Sequence, residues 1–202
     1  MNQPLHMRVD LQVIADLVPT ASRVLDLGCG DGDLLNKLIH EKQVDGVGIE
    51  LYNEHIYECI GKGVPVIHGN LDEGLYDYPD HSFDYVILSR TLQEVHKPLI
   101  TLREMVRIGR TGLLSFPNFG YWPSRCQLFF QGRMPVTKAL PNPWYDTPNI
   151  HLATIKDFLQ LCRQEKITVL DRIHIRGRKR SRVAGLCSNL LTEVAILVIR
   201  KT

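Results

Sequence analysis

Cysteine is scarce in this chain of 202 residues, and what there is lacks pattern. Cys29, Cys59, Cys126, Cys162 and Cys187 are odd in number, scattered, and form no Cys-x-x-Cys pair. That excludes a disulfide framework and a zinc site, so no metal is expected, and it fits a reducing compartment. Long apolar runs are missing too: no stretch nears the ~20 residues that cross a bilayer. The opening Met1-Asn2-Gln3-Pro4-Leu5-His6-Met7-Arg8 lacks the basic-then-apolar plan of a signal peptide, so the expected compartment is the cytoplasm. Charge of one sign is also wanting, since a net +2 argues against nucleic acid as the main partner. No internal repeat is visible. With 44% hydrophobic and 23% charged residues the composition is that of an ordinary globular chain, and its length suits a single domain spanning residues 1–202.

What is present is an alternation of two hydrophobic periods. Val9, Val13, Ile14 and Leu17 share a helical face that Pro19 ends. Arg23–Leu27 is a short apolar run closed by glycines, hence a buried strand, and Asp33–His40 follows as a helix. Gly46–Glu50 and Val64–His68 read as strands with a helix over Asn53–Ile60 between them, and Phe83–Leu88 is the strongest strand pattern. Leu99–Ile108 reads as an amphipathic helix capped by Gly109, with a strand over Gly112–Phe116 after it. Strand and helix in alternation specify βαβ units. The expected fold is therefore α/β, Rossmann-like and doubly wound, with a mostly parallel seven-stranded sheet. Two β-rich runs at Thr168–Ile175 and Thr192–Ile199 close it as a C-terminal antiparallel hairpin, after a helix that Thr154 caps. An irregular insertion at about 117–152, rich in Pro, Asn, Gly and aromatics, breaks the rhythm, with one helical stretch near Ser124–Phe130.

The chemistry concentrates first at Asp26-Leu27-Gly28-Cys29-Gly30-Asp31-Gly32. Glycines between a strand and a helix let the backbone turn sharply and a ligand approach it closely, as nucleotide-binding loops do. A dinucleotide loop places a third glycine where this chain has Asp33. Asp31 and Asp33 at the helix start would repel a pyrophosphate and suit a cationic ligand without phosphate; the same residues also suit plain helix capping. Glu50 ends the next strand about twenty residues on, where a carboxylate accepts both hydroxyls of a ribose.

Val24–Gly32 resembles the first motif of class I S-adenosylmethionine (SAM)-dependent methyltransferases, and Ser82–Leu88 resembles their strand-four motif. The resemblance implies that SAM, or its demethylated product S-adenosylhomocysteine, is the cofactor. It assigns Asp26 and Gly28 to the methionyl end, Glu50 to the ribose, and Asn70 with Leu71 to the adenine edge, with Cys29, Gly30, Gly32 and Ser89 as further cofactor-binding candidates. Asn70 stands where Asp is more usual, and its side-chain carbonyl still accepts from the adenine amine.

More specific segments lie further along: Leu71–Leu75, Ser89–Gln93, Ser115–Gly120, Gly132–Pro141 and Trp144–Leu152. Together they resemble the methionine biosynthesis family MetW. This implies a bacterial protein that works beside a homoserine O-acyltransferase; the family pattern supplies no methyl acceptor. In a parallel sheet, ligands bind beyond the carboxyl ends of the strands. Ser89–His96 and the insertion are therefore expected to face the cofactor. Gln93, Asn118, Trp144, Tyr145, Asn149 and His151 are candidates for contacting a small acceptor or a partner, beside Tyr121, Trp122, Lys138 and Asp146. Glu94 and His96 are the candidate general bases, although many methyl transfers need only alignment and desolvation. The aromatics equally suit packing of the insertion, and Cys29 a small residue in a crowded turn. The basic run Arg176–Arg182 reads as a solvated hairpin loop more readily than as an RNA contact. Two functions follow: an accessory SAM-binding protein of methionine synthesis, or an independent SAM-dependent methyltransferase acting on a small molecule.

Overall fold

The structure, a computed structural model, describes residues 7–181 and 187–202. One eight-stranded sheet, ordered β3-β2-β1-β4-β5-β8-β6-β7, carries the fold. Its elements run α1 (Val9–Leu17), β1 (Arg23–Leu27), α2 (Asp33–Lys42), β2 (Asp45–Glu50), α3 (Asn53–Gly61) and β3 (Val66–His68). Then come β4 (Phe83–Ser89), α4 (Pro98–Ile108), β5 (Gly109–Pro117) and α5 (Trp122–Cys126), which runs into a π turn over Gln127–Gln131. The chain closes with α6 (Ile155–Gln164), β6 (Ile167–Arg176), β7 (Lys179–Arg180), α7 (Ser188–Leu191) and β8 (Val194–Lys201).

The first five strands are parallel. The last three are antiparallel, with β8 inserted between β5 and β6. The seven expected strands are therefore joined by an eighth, the two-residue β7, which pairs with β6 across a tight turn at Gly177. The basic run thus forms a short exposed hairpin, except for Arg182, which lies outside the described residues.

Alternation along the central strands builds the two layers. Leu25, Leu27, Val86, Leu88 and Leu114 face α4 and α6 on one side, where Phe116 packs on Phe158 at 5.2 Å between ring centroids. Val24, Ile87, Leu113 and Ile196 face the other way, onto α1, α2 and α3. Thr154 starts α6 through a reciprocal capping box with Asp157. Gly109 caps α4 as its position suggested, its N–H donating to the Met105 carbonyl, but without the left-handed turn typical of such glycines. Its backbone is extended (φ −98°, ψ 141°) and opens β5, where a Cβ would lie 2.7 Å from Val86 Cγ2. The strand order reverses at β1: β2 and β3 lie on one side of it and β4 on the other. That places a crevice at the carboxyl ends of β1 and β4.

Candidate cofactor site

The β1–α2 loop turns through left-handed glycines, and Gly28 (φ 70°) has a second reason to lack a side chain: a Cβ there would stand 2.6 Å from Thr91 Cγ2. The loop is pinned to β2. Gly28 and Cys29 donate their N–H groups to the Ile49 carbonyl at 2.8 and 3.2 Å. Gly30 donates to Glu50 Oε2 at 2.8 Å, while Glu50 Oε1 accepts from the Leu51 and Tyr52 N–H groups. Beneath the loop, the Cys29 and Cys59 sulfurs lie 3.9 Å apart beside the Gly30 carbonyl, and burial raises both thiols, Cys29 strongly, so they serve as packing.

A cleft of about 700 Å³ opens over this loop, within the range of small-molecule sites. It gathers Asp26, Gly28, Cys29, Gly30 and Glu50 with Asn70, Leu71 and Ser89. Of the candidates for contacting an acceptor, Gln93, Glu94, His96 and Asn149 line it as well. Asn70 spends its carbonyl on the Asp72 N–H, capping the 3₁₀ turn Leu71–Glu73, so one lone pair of that oxygen is already engaged.

Other expected residues stand elsewhere. Gly32 is left-handed at the start of α2, outside the cleft wall, where a Cβ would meet Cys59 Sγ at 2.7 Å. Asn118 is buried and wholly committed to the frame. Its amide donates to the Asn189 and Thr192 carbonyls, and its carbonyl accepts from the Gly120 and Ile155 N–H groups. Those four bonds join β5, α6 and the approach to β8, which leaves nothing to offer a substrate. Trp144 and Tyr145 pack edge-to-face on each other and are about three-quarters exposed, pointing away from the cleft. His151 is exposed and contributes its backbone N–H to the Gln93 carbonyl, as Ile150 does. Tyr121, Trp122, Lys138 and Asp146 also lie off the cleft wall.

Within the protein, the acidic start of α2 is already offset by a lysine, contrary to the expectation of free carboxylates there. Lys62 Nζ sits 3.1 Å from Asp31 Oδ2 and 2.6 Å from Asp33 Oδ1, so one cation answers both carboxylates, and Asp31 Oδ1 caps the Asp33 N–H. Two carboxylates of the cleft wall, Asp26 and Glu50, are buried. Asp26 is 2% exposed, and its Oδ1 has no hydrogen-bond partner. Burial, against the pull of Arg8 and helped by Glu50, raises its carboxyl to about 7. A buried carboxylate oxygen left without a donor at the head of a glycine loop is costly for the free protein and complementary to a cationic group. That observation fits the ammonium of a bound SAM. Glu94 is likewise raised by desolvation.

Sequence reasoning missed the far wall. Asp10, 1% exposed on α1, accepts from Arg90 Nη2 at 3.4 Å and is ion-paired with its Nε (3.0 Å to Oδ2), lies 3.5 Å from Arg8 Nη2 and takes a bond from Ser115. Arg8 Nη2 also donates to Ser89 Oγ at 3.1 Å. One signal was present: Asp10, Val13, Ile14 and Leu17 share a helical face, and an acid on an apolar face asks for a buried partner.

The fold and site define a class. The architecture is the class I SAM-dependent methyltransferase fold, as in the solved structure of a SAM-dependent methyltransferase from Mesorhizobium loti: TM-score 0.70, 15% identity, 96% of this chain and 99% of that one covered. Residues 8–199 match the family described as methionine biosynthesis protein MetW, and the chain belongs to that family. Among curated relatives, it is 35% identical over 83% of its length to a bifunctional methionine biosynthesis protein MetXA/MetW of Rhodopirellula baltica. It is 31% identical over 59% of its length to a demethylmenaquinone methyltransferase of Listeria welshimeri. The matched segments span 28% and 56% of those two relatives. Among the described residues no helix is long and apolar enough to cross a membrane.

Proposed function

We propose that the chain binds SAM or S-adenosylhomocysteine in this cleft and acts with a homoserine O-acyltransferase in methionine biosynthesis. The observation that carries the binding reading is Asp26, a residue of the glycine-loop cleft wall that holds a buried oxygen without a donor. Asp26 would hold the cofactor's ammonium, Glu50 the ribose through the lone pair its three N–H partners leave free, and Asn70 with Leu71 the adenine side. Bound SAM supplies a methyl group on an electrophilic sulfonium. The acyltransferase reading is supported by the MetXA/MetW relative, whose name joins two functions in one chain. It is supported also by the insertion, where the exposed pairs Phe129–Phe130 and Trp144–Tyr145 offer the aromatic surface that protein interfaces favour.

Independent methyl transfer to a small molecule is favoured by one observation, Glu94. Its carboxyl lines the cleft and is raised by desolvation, as a group that takes a proton from an acceptor needs to be. An acyltransferase assay separates the two readings. Homoserine acylation is measured with the wild type and with Asp26→Asn, with and without SAM, while labelled methyl groups are followed in parallel. The accessory reading expects faster acylation and co-elution with the enzyme. Unchanged acylation together with label in a small metabolite would replace it with the independent enzyme.

A further inference from the structure

Gln93 stands where the cleft meets the insertion and serves both. It is buried and lines the cleft, and its Oε1 has no donor. Its side-chain amide donates to the carbonyl of Arg90, a residue held in the left-handed region (φ 58°) that long side chains rarely adopt. The turn after β4 is thus both strained and unsatisfied. The backbone carbonyl of Gln93 accepts two N–H groups from the insertion, Ile150 at 2.9 Å and His151 at 3.0 Å. Among the described residues, these are the only hydrogen bonds that tie residues 141–151 to the rest of the chain. The others close within the stretch, from Asp146 to Pro143 and from Asn149 to Thr147. Pro141, Pro143 and Pro148 stiffen it, so it shifts as one piece more readily than it bends.

This strap has two faces. Pro141, Pro148 and Asn149 line the cleft, whereas Trp144 and Tyr145 lie off its wall and are exposed. A second exposed group lies earlier in the insertion. Gln127 both donates to and accepts from the Val136 backbone, which holds the π turn with its exposed Leu128, Phe129 and Phe130 beside Val136. More than half of the large apolar side chains left exposed among the described residues fall within residues 122–152, a concentration that marks an interaction surface. Charge says what fits it. Residues 117–152 carry Arg125, Arg133 and Lys138 against a single acid, Asp146, so the complementary surface is apolar with a rim of carboxylates. The MetXA/MetW relative extends well beyond the matched 28%, and its name joins a second function to the same chain, which favours a protein as the occupant.

We propose that residues 141–151 are a two-faced strap through which the occupant of the cleft and a protein partner bind interdependently. The partner surface is an apolar patch rimmed by carboxylates on the homoserine O-acyltransferase. The inference rests on the proposed function and adds a linkage between its two halves. A ligand that packs on Pro148 and Asn149 and reaches Gln93 holds the strap in place. The partner then has less to order and binds more tightly. By reciprocity, the partner raises the affinity of the cleft for its ligand by the same factor.

Calorimetric titration tests this with the purified acyltransferase, in the absence and presence of saturating S-adenosylhomocysteine, and with S-adenosylhomocysteine titrated into the free chain and into the complex. Wild type is compared with the double variant Trp144→Ala, Tyr145→Ala, whose fold is checked by thermal melting. The expected result is that S-adenosylhomocysteine tightens the complex about fivefold or more, and that the complex binds the nucleoside tighter by the same factor. The double variant is expected to lose about tenfold or more in acyltransferase affinity while melting and binding the nucleoside as wild type does. Equal acyltransferase affinity with and without the nucleoside overturns the linkage, and full affinity in the double variant overturns the docking face. Self-association of the wild type that the double variant abolishes, with no acyltransferase bound, gives the face to a second copy and overturns the proposal. A wild type that binds the nucleoside but not the acyltransferase overturns the partner half of the proposed function. One that binds the acyltransferase but no nucleoside overturns the cofactor half, and the linkage falls in either case.

Discussion

Glu50 Oε2 accepts the Gly30 N–H at 2.8 Å, so the acid that ends β2 holds the glycine loop that follows β1. Its other oxygen takes Leu51 and Tyr52 at 2.9 and 3.0 Å. Glu50→Ala strips three backbone donors of their acceptor, which at about 1–3 kcal/mol for a buried unmet donor, partly relieved by water, is expected to cost about 2–4 kcal/mol of stability. Glu50→Gln keeps one carbonyl oxygen but turns an NH2 toward at least one of the three N–H groups, so it is expected to lose less stability than Glu50→Ala, yet measurably, while binding S-adenosylhomocysteine much more weakly. Urea unfolding and calorimetry of the two variants check both halves.

Gly28 faces Thr91 with no room for a methyl group between them. Gly28→Ala adds that clash to a left-handed backbone and should cost about 1–3 kcal/mol. Thr91→Ala removes Cγ2 and Oγ1, leaving only the 3.2 Å approach of Cβ, so the double variant should recover part of the loss. A double-mutant cycle in urea reads the coupling; strict additivity would mean the two residues do not press on each other.

Asp26 makes both stability and binding depend on pH, with opposite signs. Its folded-state carboxyl is raised to about 7 from 3.8, so between those values the native chain holds a proton that the unfolded chain has lost. Stability of the free protein therefore falls as pH rises through that window. Affinity for a ligand whose ammonium needs the ionised carboxylate rises over the same range, by up to about tenfold per pH unit below 7. Asp26→Asn should flatten both profiles, unfold at higher urea than wild type at pH 8, and bind S-adenosylhomocysteine more weakly. Thermal melts and titrations from pH 5.5 to 8.5 decide it, and a wild-type affinity flat across that range would contradict the role given to Asp26.

Asn118 offers a contrasting test, since all its hydrogen-bonding atoms serve the frame. Asn118→Leu is expected to lose about 2–4 kcal/mol of stability. Its folded fraction should bind S-adenosylhomocysteine as wild type does. Lost affinity with intact stability would return Asn118 to the list of contact residues.

Much of this was legible in the chain itself, and the gaps have physical causes. β1, β2 and β4 announce themselves because buried parallel strands are continuous apolar runs, and glycines beside Asp26 mark the turn between them. Hydrophobic period says which face is buried but not which strand is the neighbour, so the placement of β8 between β5 and β6 had to come from the structure. The Asp10–Arg90 pair joins residues 80 positions apart, and Lys62 reaches back about 30 residues to Asp31 and Asp33. Neither separation leaves a local pattern. The insertion's composition marked it as functional, yet composition cannot orient a two-sided loop: Asn149 turns to the cleft, while Trp144 and Tyr145 turn out.

The most direct measurement is a calorimetric titration of the purified protein with SAM at pH 8, repeated with Asp26→Asn. Saturable one-to-one binding by wild type, weakened at least tenfold in the variant although the variant is the more stable protein, is the result expected of a cleft built around an unpartnered buried carboxylate. No heat with wild type, or equal affinity in the two proteins, would contradict it.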